Sequence, residues 1–309
     1  MVGSHMADLL LTKNYEIYGT SRNIDTVSSN LLETKDKIKL IQADLNDHSS
    51  IHNAIEVSRP DEIYNFGAVS FAPSSWVLPE YTANVNGVGV LKILEAIKQV
   101  DKNIKLYQAS TSEIFGNLKN TTVNEDTVPH PKSPYGIAKL YAQWTVKNYR
   151  ETYDMFVCSG ISFNHESERR GVDFVTRKIT KSVAEISLGK KDYLELGNLN
   201  ISKDWGYTPD YVQAMWGMLQ SKKADDYIIA TNTSHTIQYV LEVAFKYVGI
   251  SNYMQYIKVN PEFIRVGEVG NLTGDYSKIQ DELGWKPVTP LKTVIELMVK
   301  KDLDLINKY

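Results

Sequence analysis

Short apolar runs alternate with longer amphipathic stretches through the first half of the chain. Tyr15–Thr20, Lys39–Ala43, Glu62–Phe66, Lys105–Ala109 and Phe156–Phe163 are brief, apolar and bounded by turn or polar residues, which predicts strands. Between them, Val85–Ile97 and Tyr135–Thr152 carry the 3.6-residue period of helices. Strands alternating with helices predict βαβ units and a parallel sheet covered on both faces, a Rossmann-like doubly wound α/β fold. Beyond about residue 165 the rhythm loosens. Helical patterns at Phe174–Leu188, Asp210–Leu219, Ile237–Val248 and Pro290–Lys300 are separated by short strands and loops. The expected organisation is a nucleotide-binding domain over residues 1–165. Residues 166–309 then form a smaller α/β substrate-binding region, interleaved with the end of the sheet. The chain shows no repeat, low-complexity tract or linker.

The first residues change this picture. Gly-Ser-His-Met at positions 3–6 matches a common cloning scar. Yet Gly3 falls where the third glycine of a dinucleotide fingerprint would sit, and helix Ser4–Thr12 and strand Tyr15–Thr20 follow at the right distance. The segment therefore reads as native, with the first strand and the first two fingerprint glycines expected upstream of the sequence given.

Composition narrows the class. The 309 residues are 42% hydrophobic with formal charge −3, so nothing in the balance favours nucleic acid or an anionic membrane as partner. No apolar run approaches the roughly 18–20 residues of a membrane span, and no basic-then-apolar leader opens the chain. The lone cysteine, Cys158, lies in an apolar run and reads as a small buried hydrophobe. No His/Cys/carboxylate cluster has metal-site spacing, so no metal is expected. These features fit a soluble cytoplasmic enzyme.

Two motifs carry chemistry. In Ser133-Pro134-Tyr135-Gly136-Ile137-Ala138-Lys139, Tyr135 and Lys139 are four apart and share one helix face. An ammonium beside a phenol favours the phenolate, so Lys139 is expected to lower the pKa of Tyr135 toward working pH. A surface Tyr–Lys pair is the plain alternative. The second motif, Gln108-Ala109-Ser110-Thr111-Ser112-Glu113-Ile114-Phe115-Gly116, directly follows a predicted strand. Ligands in open α/β sheets bind outside the carboxyl ends of strands, which puts the Thr111 hydroxyl and the Glu113 carboxylate at the mouth of a site. Ordinary helix capping is the competing reading there.

Together these motifs resemble the extended short-chain dehydrogenase/reductases, and within them the GDP-mannose 4,6-dehydratase family. The resemblance runs from Asp44-Leu45 through Tyr64-Asn65-Phe66-Gly67-Ala68 and Pro79-Glu80-Tyr81-Thr82-Ala83-Asn84-Val85. It continues through Asn164-His165-Glu166-Ser167-Glu168-Arg169-Arg170-Gly171, Val175-Thr176-Arg177-Lys178-Ile179, Asp204-Trp205-Gly206-Tyr207, Asp210-Tyr211 and Leu283-Gly284-Trp285-Lys286-Pro287. The Asn-His-Glu-Ser-x-Arg-Arg-Gly run discriminates most, and Ser112 stands where glucose-nucleotide dehydratases typically have aspartate.

The resemblance implies NADP as cofactor and GDP-mannose, or a GDP-manno-heptose, as substrate. It implies that Tyr135 takes the O4 proton while hydride leaves C4, that Thr111 hydrogen-bonds O4, and that Glu113 removes the C5 proton as water leaves C6. Lys139 completes the catalytic set. Cofactor contacts carry over to Gly3, Arg22, Asp44, Leu45, Phe66, Gly67, Ala68, Val69, Ser70, Tyr81, Lys139, His165 and Arg170. Arg22, after the second strand of the usual fold, suits a 2′-phosphate, where an acidic residue would favour NAD. Substrate contacts carry over to Asn164, Val175, Lys178, Lys203, Arg265 and Glu268, and a homo-oligomer (dimer or tetramer) is implied. Lys203 stands where the family usually has arginine, Val69 where it commonly has glutamine, and Phe71 where some members have histidine. A reductase or epimerase of the same superfamily, which needs no C5 base, and a non-catalytic nucleotide-sugar binder are the alternatives to a dehydratase.

Overall fold

The computed structural model describes residues 1–25, 29–31, 34–118, 121–263 and 271–307. The first half runs α1 (Val2–Thr12), β1 (Ile17–Ser21), β2 (Ile38–Gln42), α2 (His48–Ser58), β3 (Glu62–Asn65), α3 (Ser74–Val77), α4 (Pro79–Ala83), α5 (Gly89–Val100), β4 (Lys105–Thr111), β5 (Thr121–Val123), α6 (Pro134–Tyr153) and β6 (Val157–Ser162). The second half runs β7 (Asn164–Glu166), α7 (Val175–Ser187), β8 (Leu194–Leu196), β9 (Ser202–Tyr207), α8 (Thr208–Gln220), β10 (Tyr227–Ile229), β11 (Ser234–Thr236), α9 (Ile237–Tyr247), β12 (Ile257–Val259), β13 (Leu272–Gly274), α10 (Ser277–Leu283) and α11 (Leu291–Ile306).

Strands β3, β4, β6 and β10 form one sheet in the order β10–β6–β4–β3, and β1 pairs with β2; every pair is parallel. Alternation along the strands sends neighbours to opposite faces. Leu106 and Val157 pack with α2, α5 and α6, whereas Tyr107 and Cys158 pack with α1 and α8. Helices thus cover both faces, as the alternating pattern predicts. Cys158 is fully buried, and desolvation pushes its thiol well above the usual range, so it behaves as a core side chain.

Beyond β6 a separate apolar cluster gathers α7, α9 and α11 around β8 and Trp205. Strands β7, β9 and β11 make a second small sheet, with β7–β9 parallel and β9–β11 antiparallel. The motif residues of this half hold one another. The Asp210 carboxylate accepts from the Val288 and Thr289 backbone N–H groups, while Trp285 Nε1 donates to the Asp210 carbonyl. Gly206 is required because a Cβ there would collide with the ring of Tyr211.

Two elements differ from the sequence expectation. The helix expected from Val85 opens with a wide turn at Asn84–Val88, and α5 proper starts at Gly89. Helix α2 was not expected. It buries only Ile51, Ala54 and Ile55, too short an apolar stripe to stand out, and rests on the Asp47 cap, whose carboxylate accepts from Ser49 N and Ser50 N. At the start of the chain, Ser4, His5 and Met6 are buried within α1, and His5 Nε2 bonds Ser167 Oγ at 2.9 Å, so this segment packs as part of the fold.

Candidate active site

Because the strands are parallel, every crossing from strand end to following segment falls on one rim. Arg22 follows β1, Asp44 and Leu45 follow β2, Phe66–Ser70 follow β3, Thr111 ends β4, and Asn164 and His165 lie just past β6. Half of the expected site residues therefore lie at the carboxyl ends of parallel strands.

The Thr111–Glu113 turn is fixed locally. Thr111 caps the single helical turn Ser112–Phe115, its Oγ1 accepting from Glu113 N at 3.3 Å. Gly116 ends that turn at φ +66°, where any Cβ would strike the His130 carbonyl. His130 N in turn donates to Ile114 O at 2.9 Å, which draws the segment leading into α6 against the turn. Helix α6 starts with Ser133 as cap, its Oγ accepting from Gly136 N at 3.1 Å, and Pro134 in the first turn. A Cβ on Gly136 would lie 2.8 Å from the Glu113 carbonyl, so only glycine lets the helix approach this closely.

Tyr135 consequently meets Thr111 and Glu113. Burial pushes its phenol up to about 12; the nearby Glu113 charge adds to this, while the Thr111 hydroxyl and the Arg170 cation oppose it. This overturns the expectation that Lys139 depresses the phenol. The Lys139 ammonium donates instead to the Ala109 carbonyl at 2.9 Å, and its own burial lowers it to about 8. Desolvation outweighs the helical neighbour because both groups are sealed from water.

Beside Glu113 opens a cleft of about 250 Å³, solvent included, lined by Ser112, Glu113, Phe163, Asn164, Ser202, Lys203, Asp204 and Leu272. Lys203 Nζ lies 4.0 Å from Glu113 Oε1, the one basic group facing the carboxylate in that lining. Sequence reasoning gave Asp204 no role. Its buried carboxylate accepts from Thr231 N, Thr231 Oγ1 and Gly274 N, tying β9 to β10 and β13 and forming the cleft floor. Burial raises it to about 6 against those bonds.

Several of the expected cofactor residues touch one another. A Cβ on Gly3 would sit 3.8 Å from Phe66, so α1 starts against the loop after β3. That loop is held by Asn86, whose side chain accepts from Val69 N at 2.8 Å and donates to Val69 O at 3.1 Å. Asn86 was missed because only the wide turn aims it backward. Gly67 packs on Leu45, where a Cβ would come within 2.8 Å of Cδ1. Arg22 Nη1 donates to Tyr81 Oη at 2.8 Å, and both are exposed. Asp44 holds its own turn, Oδ1 accepting from Asn46 N at 2.9 Å. Ala68 and Ser70 flank Val69, the first half-buried and the second exposed. His165 Nδ1 bonds the Phe163 carbonyl at 2.8 Å, and burial lowers the imidazole to about 4, leaving it neutral. Among the described residues no group of His, Cys and carboxylates could hold a metal. A glycine at a helix start, a backbone loop at strand ends, an exposed guanidinium and a buried tyrosine and lysine fit the shape and charge of a dinucleotide.

The expected substrate residues are only partly assembled. Asn164 and Lys203 line the cleft. Val175 and Lys178 occupy the first turns of α7, with Lys178 Nζ 4.1 Å from the Phe263 ring centroid. Arg265 and Glu268 lie outside the described residues.

The GDP-mannose 4,6-dehydratase family profile matches residues 1–298. The chain belongs to the GDP-mannose 4,6-dehydratase family. An Arabidopsis thaliana relative, GDP-mannose 4,6 dehydratase 2, is 43% identical over 319 residues, covering 99% of this chain and 85% of its own. Solved structures resemble the fold at lower identity. UDP-glucose 4-epimerase of Thermus thermophilus, solved with NAD, superposes at TM-score 0.86 with 23% identity, covering 98% of this chain and 96% of its own. The Pseudomonas aeruginosa RMD protein, solved with NADPH, superposes at 0.83 with 19% identity, covering 99% and 96%. These two establish the Rossmann-like architecture. Among the described residues no helix is long and apolar enough to cross a membrane.

Proposed function

We propose that this chain converts GDP-mannose to its 4-keto-6-deoxy product with tightly held NADP. The observation that carries the reading is the meeting of Thr111, Glu113 and Tyr135 at one strand end, beside a cleft lined by Glu113, Asn164 and Lys203. Full-length similarity to GDP-mannose 4,6-dehydratases supports the substrate.

When bound, NADP would supply the transient hydride acceptor, so that the conversion has no net oxidation. Gly3, Phe66–Ser70, Tyr81, Lys139, His165 and Arg170 would hold it, with Arg22 facing the 2′-phosphate and Asp44 and Leu45 beside the adenine. Thr111 orients the sugar by hydrogen-bonding O4. Tyr135 accepts the O4 proton as C4 becomes a ketone. The ketone acidifies the C5 hydrogen, which Glu113 removes; the protonated carboxyl then donates to the departing C6 hydroxyl. Lys203, Lys178 and Arg265 supply positive charge for the diphosphate, while Asn164, Val175 and Glu268 complete the nucleotide site. The neutral His165 serves as a hydrogen-bonding wall.

Purified protein incubated with GDP-mannose and no added reductant is expected to yield a product lacking the C6 oxygen, and to release NADP(H) rather than NAD(H) on denaturation. Strict dependence on added NADPH would instead identify a reductase. The absence of both turnover and cofactor would point to a binder.

A second copy of the chain is the proposed partner. Ile137, Tyr141 and Trp144 recur on one stripe of α6 and are 59%, 47% and 56% exposed, next to exposed Trp76, Val77 and Leu78 from the adjoining α3–α4 segment. An apolar face of this extent on a short helical layer is characteristic of subunit contact. Light scattering should give at least twice the chain mass at micromolar concentration; a monomer would exclude the assembly.

A further inference from the structure

The turn following β7 carries Arg170 but has no regular structure of its own between Glu166 and the start of α7. Arg170 is poised rather than locked. Its Nε lies 3.0 Å from Glu166 Oε2 yet is not aligned to donate to it, and its guanidinium stacks over the Phe174 ring at 3.5 Å. The turn's first residues are tied down by Ser167, whose carbonyl accepts from Arg170 N at 3.0 Å and whose hydroxyl bonds His5, and by the Arg169–Asp8 ion pair; the carbonyls of residues 168 and 170 are held from farther away. Arg177, on α7, donates through Nη1 to the carbonyls of Glu168 (2.9 Å) and Arg170 (3.4 Å). Its Nη2 is paired with Asp302 Oδ1 at 2.6 Å, and both side chains are buried. Asp302 belongs to α11, and its other oxygen accepts from Thr180 Oγ1 at 2.8 Å. A buried guanidinium shared between a carboxylate and two carbonyls has a single orientation, because its planar fork fixes all three acceptors together.

We propose that Arg177 and Asp302 are positioning residues that brace the turn after β7 and so present Arg170 to the cofactor. This rests on the assignment of Arg170 as a cofactor contact. The brace also bears on the reacting phenol, since the Arg170 cation lies near enough to Tyr135 to favour its ionised form. Neither residue touches the reacting atoms. Their effect passes through the backbone of residues 168–170.

The test uses two variants and two ligands. Arg177→Lys keeps the charge against Asp302 but cannot reach the carbonyls. Asp302→Asn keeps an acceptor for Thr180 but removes the charge that orients Arg177. Calorimetry on the full chain should show NADP affinity roughly tenfold weaker in each, with GDP affinity within about twofold of the parent, and the Arg177→Lys loss should fail to add to that of Arg170→Ala. Equal loss of NADP and GDP affinity, full additivity with Arg170→Ala, or unchanged NADP affinity overturns the brace. A parent chain that binds GDP but neither NADP nor NADPH overturns the cofactor assignment itself.

Discussion

Glu113→Gln is expected to stop exchange of the sugar C5 hydrogen with solvent and to lower turnover by roughly 10²–10⁴-fold, the usual worth of a positioned general base. The amide has nearly the shape of the carboxylate but cannot take a proton. GDP affinity should change little, because Lys203, the one proposed diphosphate cation in the Glu113 cleft, is only loosely paired with that carboxylate at 4.0 Å. The variant should still oxidise C4, leaving the cofactor reduced in a single turnover. A further sign follows. The Glu113 charge raises the Tyr135 phenol, so removing it favours the phenolate, and the acid limb of the hydride step should move to lower pH. Isotope exchange in deuterated water, with stopped-flow absorbance of the reduced nicotinamide, checks both; turnover within a few-fold of the parent would remove Glu113 from the base role.

Tyr135→Phe acts one step earlier. The ring is buried and phenylalanine fills the same space, so unfolding temperature should hold, while the acceptor for the O4 proton is gone. Formation of the reduced nicotinamide should fall by roughly 10³-fold, with no 4-keto intermediate accumulating. A variant that reduced the cofactor at the parent rate would show that another group takes the proton. Burial pushes the phenol up to about 12 and lowers Lys139 to about 8, so Tyr135 is protonated at neutral pH in this structure.

The fold was legible where one physical signal dominated. The runs over β1 to β4 and β6 and the long period of α6 reappear within two residues of their expected bounds, since parallel strands covered by helices are short, mostly apolar segments set between turn residues. The same topology made the rim readable, because a parallel sheet forces Phe66 and Thr111 to one side whatever the intervening sequence. Electrostatics were not legible. The Tyr135–Lys139 spacing is real, but the competition between desolvation and Coulomb attraction depends on depth, which no local pattern encodes. Asn86 and Asp204 escaped notice for a related reason. Each bonds backbone groups distant in sequence, Val69 in one case and Thr231 and Gly274 in the other. The short strands β5, β8, β12 and β13 span three residues each, too few to display a period.

The sheet also seals away the chain's lone sulfhydryl. Cys158 sits inside β6 with no solvent exposure, its Sγ directed at the Leu106 carbonyl. Maleimide and alkylating reagents will therefore find nothing to react with in the native protein. A cysteine introduced anywhere on the outer surface becomes a unique chemical handle, so fluorophores or spin labels can be attached without first engineering out a background.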